Sequence, residues 1–170
     1  MKYILLLLAL PLLAVGAYYV YPEEGLPQGT RIDSLVVHKS ERNMLAYAEG
    51  DLVRTYSIAL GREPVGDKKV QGDMRTPEGL YTINDRNPNS GYHKNLGISY
   101  PNDTDRTEAR ALGKSPGGDI KIHGLPNGQG HIGKLHRQND WTWGCIAVTD
   151  EEVDELYEAV VMGSPILIMP

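Results

Sequence analysis

The chemistry of this chain centres on a single thiol. Cys145 is the only cysteine among 170 residues, and it follows Gly144 at the start of the apolar run CIAV. A thiol becomes an effective nucleophile when an imidazole takes its proton, and a suitable imidazole is that of His123 in the segment DIKIHG. Together these residue types predict nucleophilic catalysis by cysteine, although a lone cysteine can also be a small buried hydrophobe.

The thiol and the imidazole are predicted to share one face of neighbouring strands. Because side chains alternate along a strand, the isoleucines of DIKIHG share one face and leave Lys121 and His123 on the other. In GCIAV, Ile146 and Val148 likewise leave Cys145 on the opposite face. If the aliphatic faces form the core and the strands lie about 4.8 Å apart, the imidazole and the thiol meet away from it. An imidazolium there would lower the pKa of the thiol.

The backbone around the thiol offers further catalytic groups. Gly144 lets the chain turn sharply and approach a substrate closely. The backbone N–H groups of Trp143, Gly144 and Cys145 are then placed to face an incoming carbonyl, and each oxyanion donor is typically worth about 3 kcal/mol. The backbone carbonyl of Gly124 is the candidate for orienting the ring of His123.

A long segment, LPNGQGHIGKLHRQNDWTW, separates the two candidates. Long loops inside a domain are often functional, so one hypothesis is a lid over the thiol with Trp141 and Trp143 as apolar walls. The alternative is a surface loop with both tryptophans tucked beneath it. We include Thr142, Trp141, His136 and Lys121 among the candidate substrate contacts.

A metal site is the rival interpretation of the same region. It would use the side chains of His123, His131, His136 and Asp140 as zinc ligands. The spacings match no established pattern of zinc ligands. We therefore predict no metal and no cofactor.

The elements that position these residues are mostly strands. Alternating or continuous apolar runs predict strands at 34–40, 43–50, 52–60, 79–84, 96–101, 119–124, 144–149 and 165–170. Thr149 and Glu152 form a predicted capping box for an amphipathic helix, which we expect Gly163 to end. A shorter helix is predicted at 105–112. The sequence therefore predicts a mainly β domain with one amphipathic helix near the C-terminus.

The net charge and the N-terminal sequence restrict the ligand classes and the cellular location that the protein can have. The formal net charge of −5 argues against nucleic-acid binding, so an anionic ligand would need local cations such as Lys121, Lys134 or Arg137. Residues 1–21 resemble a signal peptide or a retained signal anchor that would associate with the membrane. We expect a linker at 22–32 and an exported domain at 33–170, in the periplasm or on the outer face of the cytoplasmic membrane.

Several motifs in order resemble one known family. HG at 123–124 followed by TWGCIAV at 142–148 resembles the signature of the L,D-transpeptidase catalytic domain (YkuD-type). GDMRTPEGLYTI at 72–83 resembles the Thr-Pro-x-Gly strand of this family. ISYPNDTD (98–105) and GGDIKIHGLPNG (117–128) resemble a branch with a longer His-to-Cys spacer. The resemblance covers roughly residues 33–170 and implies a β-sandwich-like catalytic domain with a helix packed on it.

The resemblance also implies a reaction on peptidoglycan stem peptides. Cys145 would attack the carbonyl between stem residues three and four and form a thioester, while His123 would take and return the proton. Gly124 matches the position that orients the histidine, and Thr142 matches the family's hydroxyl position. An amine of another stem peptide would resolve the thioester, in cell-wall organisation or the control of cell shape, and we expect the enzyme to be a monomer.

One departure from the family leaves the acyl acceptor open. Many members carry Arg or Asn two positions after the cysteine, where this chain has Ala147. The same site could therefore act as an L,D-carboxypeptidase or amide hydrolase, or attach a protein. A non-catalytic wall-binding module is the remaining alternative.

Overall fold

A computed structural model describes residues 16–19, 21 and 23–170. The strands of this part are β1 (Ser34–His38), β2 (Asn43–Ala48), β3 (Asp51–Ser57), β4 (Gly79–Ser90), β5 (His93–Ile98), β6 (Lys121–His123), β7 (Ile146–Ala147) and β8 (Pro165–Met169). The helices are α1 (Asp103–Ala111) and α2 (Asp150–Ala159), and a 3₁₀ segment covers Gly130–Gln138.

The strands form one sheet in the order β3-β2-β1-β8-β4-β5-β6-β7. Neighbours are antiparallel except for the parallel pairs β1–β8 and β6–β7. The side chains of β1 alternate as a strand with one buried face requires, because Leu35 and Val37 are fully buried while Ser34, Val36 and His38 are only partly buried.

The sheet curls so that its two ends share a core. One buried cluster joins aliphatic and aromatic residues of β1–β3, such as Leu35 and Tyr56, to Leu96 of β5 and Ile122 of β6. Bridges between Ala59 and Ala147, and between Gly61 and Thr142, connect the chain after β3 to the chain around β7. The prediction of a mainly β, sandwich-like domain is therefore confirmed, with a curled sheet around a single core.

The helix α2 begins as predicted but ends earlier. The Thr149 side chain accepts from the Glu152 N–H, and the Glu152 side chain accepts from the Thr149 N–H, so the capping box is confirmed. The helix stops at Ala159, because Ile32 donates to the carbonyl of Ala159 and accepts from the N–H of Val161. The prediction that Gly163 ends the helix is wrong, since Gly163 (φ 86°) lies in the turn that leads into β8.

Most other elements also differ from the predicted bounds: β5, for example, covers His93–Ile98 rather than 96–101, and β7 only Ile146–Ala147 rather than 144–149. The short helix α1 starts at Asp103 rather than 105, because Asn102 and Asp105 form a second capping box. The strand β4 continues past residue 84 to Ser90, where it turns into β5. The polar composition of NDRNPNS hides this extension from a hydrophobic pattern.

The predicted signal segment, residues 1–21, lies largely outside the described residues. The part that is described includes a helical stretch, 16–19. No helix within residues 16–19, 21 and 23–170 has the length and apolar character needed to cross a membrane.

Candidate active site

His123 lies at the end of β6 and Cys145 immediately before the adjacent strand β7, so the two strands are neighbours as the sequence predicted. The strands β6 and β7 pair in parallel, with Ile122 opposite Ile146 and His123 opposite Ala147. Both isoleucines are fully buried in the core cluster. The alternation of side chains therefore directs the imidazole and the thiol to the other face of the sheet.

The thiol is displaced by two residues along the strand from the imidazole. Since His123 pairs with Ala147, Cys145 lies level with Lys121. Its Sγ is 3.6 Å from the carbonyl oxygen of Asp119, and within the described residues it makes no hydrogen bond with His123. The thiol is only partly exposed.

Burial controls the protonation of the thiol. It raises the pKa of Cys145 above the usual value, although the backbone N–H and the positive charge of Lys121 act in the opposite direction. The expectation that an imidazolium lowers this pKa is therefore wrong. The resting site contains a neutral thiol rather than a thiolate.

The imidazole of His123 is held in one tautomer. Its Nδ1 lies 2.7 Å from the carbonyl oxygen of Gly124. A carbonyl can only accept, so Nδ1 carries the proton and the lone pair of Nε2 remains available as a base. Burial lowers the pKa of His123, which is 5% exposed, and Lys121 adds to this effect. The ring is consequently neutral at pH 7, the form that can take a proton.

Two aromatic rings cover the imidazole. The ring of Tyr92 lies 4.6 Å from the ring of His123, and that of Trp141 lies 5.6 Å from it in an edge-on arrangement. The two covering rings are 6.2 Å apart and nearly parallel. Sequence reasoning placed Trp141 in a lid but missed Tyr92, whose only signal is that it is an aromatic residue in the polar turn between β4 and β5.

The turn before the thiol is fastened by Thr142. This residue is 2% exposed, and its Oγ1 accepts from the N–H of Gly144 at 3.1 Å and donates to the carbonyl of Cys145 at 2.8 Å. The hydroxyl predicted to contact substrate is thus used within the turn. The N–H of Gly144, a predicted oxyanion donor, is used by the same hydroxyl.

Glycine is required at position 144. Its φ is +127°, and a Cβ there would lie 2.6 Å from the carbonyl oxygen of Arg75. Within the described part of the chain, the backbone N–H groups of Trp143 and Cys145 have no hydrogen-bond acceptor. These two groups, rather than that of Gly144, are free to act as oxyanion donors.

The tryptophans and His136 occupy different environments. Trp143 is 63% exposed, with the guanidinium of Arg62 over its ring at 5.4 Å. His136 belongs to the 3₁₀ segment and is 7% exposed, and its Nδ1 accepts from the indole N–H of Trp141 at 3.4 Å. Burial lowers the pKa of His136 to about 4, with Arg137 and His123 adding to the effect. The segment between the two candidates is therefore folded against the site, and Trp143 is not tucked beneath it.

The rival zinc ligands do not converge. Across the described residues, no three side chains of His, Cys, Asp or Glu are grouped as a metal site would require. Asp140 instead binds the guanidinium of Arg42 at 2.8 Å and accepts from the N–H of Leu60 at 2.8 Å. His131 is exposed on the 3₁₀ segment.

Of the three candidate cations, Lys121 is the one beside the thiol. Lys134 and Arg137 are each 3.1 Å from a carboxylate oxygen of Glu23, and Arg137 is 2.6 Å from Glu152. These two cations lie against the N-terminal residues of the described chain. In the part of the structure that is described, Lys121 forms no ion pair.

A family model and a curated relative both match this chain to the L,D-transpeptidases. The family model of the L,D-transpeptidase catalytic domain (YkuD) matches residues 32–168. YafK of Escherichia coli (strain K12), which is named as a candidate L,D-transpeptidase, is 29% identical over 139 residues, or 76% of this chain and 49% of YafK. The chain thus spans about half the length of the curated relatives it matches.

Solved structures share the fold. The helical cell shape determining protein Pgp2 from Campylobacter jejuni has a TM-score of 0.59 and 25% identity, over 82% of this chain and 48% of Pgp2. An L,D-transpeptidase from Mycobacterium smegmatis has a TM-score of 0.52 and 15% identity, over 80% of this chain and 58% of that protein.

Proposed function

This chain belongs to the L,D-transpeptidase catalytic domain family, and we propose that it transfers acyl groups of peptidoglycan stem peptides through a thioester on Cys145. The observation that carries the proposal is the pairing of β6 with β7, which puts a partly exposed thiol and a neutral, singly oriented imidazole on one face of the sheet.

The first half of the reaction uses the neutral pair directly. As Sγ attacks the carbonyl between the third and fourth stem residues, its proton passes to Nε2 of His123. The bond to the terminal D-alanine then breaks, and the departing amine takes the proton from His123. The third stem residue, a diamino acid, remains attached to the sulfur as a thioester.

The second half returns the site to its starting state. An acceptor amine attacks the thioester and gives a proton to His123, which passes it to the departing sulfur. Because both groups begin neutral, the proton must move with each attack, so the ring and the thiol must approach each other when substrate binds. Gly124 keeps Nδ1 protonated throughout and so preserves the role of Nε2.

Negative charge develops on the substrate oxygen in both halves. The free N–H groups of Cys145 and Trp143 supply the oxyanion donors, each worth about 3 kcal/mol in the transition state. Lys121 provides a cation for a stem-peptide carboxylate, and Trp141 provides an apolar wall. His136 contributes to the site through Trp141, whose indole N–H it holds.

The acceptor is the open part of the function. Ala147 is fully buried and pairs with Ala59, so the position where many family members carry a polar side chain supplies no polar group here. Water is therefore the second candidate acceptor, which would make the enzyme an L,D-carboxypeptidase. We further propose an exported location, in line with the N-terminal sequence, and a role in cell shape, by analogy with Pgp2, which is named as a helical cell shape determining protein.

Turnover of purified muropeptides tests the function. Wild-type protein incubated with tetrapeptide muropeptides is expected to give cross-linked dimers, or trimmed tripeptides if water is the acceptor. Cys145→Ala and His123→Gln should abolish both products, whereas His38→Gln, a histidine on β1 far along the sheet, should not. An unchanged muropeptide profile with the wild-type protein would refute catalysis and favour a wall-binding module.

A further inference from the structure

The turn between β4 and β5 lies directly over His123. It comprises residues 90–93, and it presents Tyr92, whose ring lies 4.6 Å from the imidazole. Tyr92 is itself 41% exposed, so the ring is not held in place by the hydrophobic core. Besides its contact with Trp141, the position of this ring therefore depends on the turn that carries it.

Asn127 makes three of the hydrogen bonds that hold the turn. The side-chain Nδ2 of Asn127 donates to the carbonyl of Ser90 at 3.0 Å, and its Oδ1 accepts from the N–H of His93 at 2.8 Å. The backbone N–H of Asn127 also donates to the carbonyl of Gly91 at 3.0 Å. Asn127 thus binds the residues on both sides of Tyr92.

The conformation of the turn depends on such support. His93 has a φ of +61°, a region of backbone geometry that non-glycine residues seldom adopt. The acceptor that Asn127 offers to the His93 N–H stabilises this geometry. A turn released from Asn127 can relax away from it, and Tyr92 would move with the turn.

Asn127 belongs to the loop that follows β6, the strand that carries His123. Asn127 lies three residues after Gly124, whose carbonyl fixes the imidazole. The loop is anchored from its other side, because the N–H of Leu125 donates to a carboxylate oxygen of Asp150 at 2.8 Å. The loop therefore connects the group that orients the ring with the turn that covers it.

We propose that Asn127 is a positioning residue, which holds Tyr92 against His123 and so keeps the imidazole covered and oriented for the thiol. The reaction that this orientation serves is the proposed acyl transfer, on which this inference rests. Without the Tyr92 ring, one flank of the imidazole is open to water and only Trp141 remains as an aromatic neighbour.

Three variants and one control isolate this role. Asn127→Ala removes both side-chain hydrogen bonds, and Tyr92→Ala removes the ring that they position. Tyr92→Phe keeps the ring and loses only the hydroxyl. Asn89→Ala is the matched control, because Asn89 is exposed in the same hairpin and its side chain makes no hydrogen bond among the described residues.

The first measurement is the NMR titration of the His123 ring, which needs no substrate. Burial is the main cause of its lowered pKa, so Asn127→Ala and Tyr92→Ala should raise that pKa towards the ordinary value. Tyr92→Phe and Asn89→Ala should retain the wild-type titration. The charged or titratable groups around the ring are Lys121 on its own strand, His136 on the 3₁₀ segment, the Cys145 thiol just before β7 and the phenol of Tyr92 itself. Only the phenol changes among the variants, and Tyr92→Phe controls for the loss of its hydroxyl.

The second measurement is muropeptide turnover. Asn127→Ala should lower kcat on the order of tenfold to a hundredfold with little change in KM, because the ring is misplaced while the substrate contacts remain. The double variant Asn127→Ala/Tyr92→Ala should be no slower than Tyr92→Ala alone, since both changes act through the same ring. If Asn127→Ala does not fold, Asn127→Asp, which keeps the acceptor for His93 but loses the donor to Ser90, replaces it.

The outcomes separate the two proposals. An unchanged His123 titration in both Asn127→Ala and Tyr92→Ala would overturn the positioning role, whatever the turnover. A raised His123 pKa in these two variants supports the positioning role even if wild-type protein leaves muropeptides unchanged, in which case the proposed acyl transfer alone fails.

Discussion

Replacing Thr142 with valine tests whether its hydroxyl holds the thiol turn. Valine has nearly the shape of threonine, so the change removes a hydroxyl and little else. In the structure this hydroxyl accepts from the N–H of Gly144 at 3.1 Å and donates to the carbonyl of Cys145 at 2.8 Å. Both bonds are lost in Thr142→Val, and no other group takes their place.

The size of the effect follows from burial. Thr142 is 2% exposed and Gly144 is buried, so the N–H of Gly144 would be left without an acceptor and without water. A buried polar group without a partner costs about 1–3 kcal/mol. Loss of the hydrogen bond to the carbonyl of Cys145 costs less free energy, because this residue is partly exposed. We therefore expect Thr142→Val to lower the free energy of unfolding by about 2–4 kcal/mol.

The assay combines urea unfolding with alkylation of the thiol. Thr142→Ser keeps the hydroxyl and loses one buried methyl group, so it should lower the free energy of unfolding by only about 1 kcal/mol. Thr142→Val should also change the rate at which iodoacetamide modifies Cys145 in the folded protein, because the turn that carries the thiol is loosened. If Thr142→Val were as stable as Thr142→Ser and altered only KM, the hydroxyl would serve substrate and the structural role would be refuted.

Two further predictions concern pH and the N-terminal residues. The pKa of His136 is about 4 when folded and near 6.5 when unfolded, so the unfolded state takes up the proton first and stability falls as pH drops from about 7 towards 4. His136→Gln should flatten the slope of unfolding free energy between pH 7 and 5, and an unchanged slope in urea titrations would contradict this origin. Glu23 pairs with Lys134 and Arg137, so Glu23→Ala should speed tryptic cleavage after these residues, whereas the adjacent Glu24→Ala should not. Equal cleavage rates for the two variants would show that the ion pairs do not restrain the 3₁₀ segment.

The parts of the fold that follow from local patterns were predictable. Alternation located the strands and placed His123 and Cys145 on the face opposite the isoleucines, and the Thr149–Glu152 pair predicted the start of α2. These features depend on residues close in sequence, where periodicity and capping chemistry carry the information.

The features that escaped prediction depend on contacts distant in sequence. The end of α2 is decided by Ile32, more than a hundred residues earlier, which no helix pattern contains. The turn that carries Tyr92 over His123 is hydrogen-bonded to Asn127, which lies 34 residues after His93. The raised pKa of Cys145 likewise reflects burial by surrounding chain, whereas residue types alone suggested an imidazolium partner.

The central claim is that Cys145 carries the acyl group, and mass spectrometry of the protein after brief incubation with tetrapeptide muropeptides tests it most directly. We predict a peptide containing Cys145 that has gained the mass of the muropeptide minus D-alanine and that loses it on treatment with hydroxylamine. His123→Gln should accumulate little of this adduct. Turnover of the muropeptides by Cys145→Ala, or an adduct on any other residue, would contradict the mechanism.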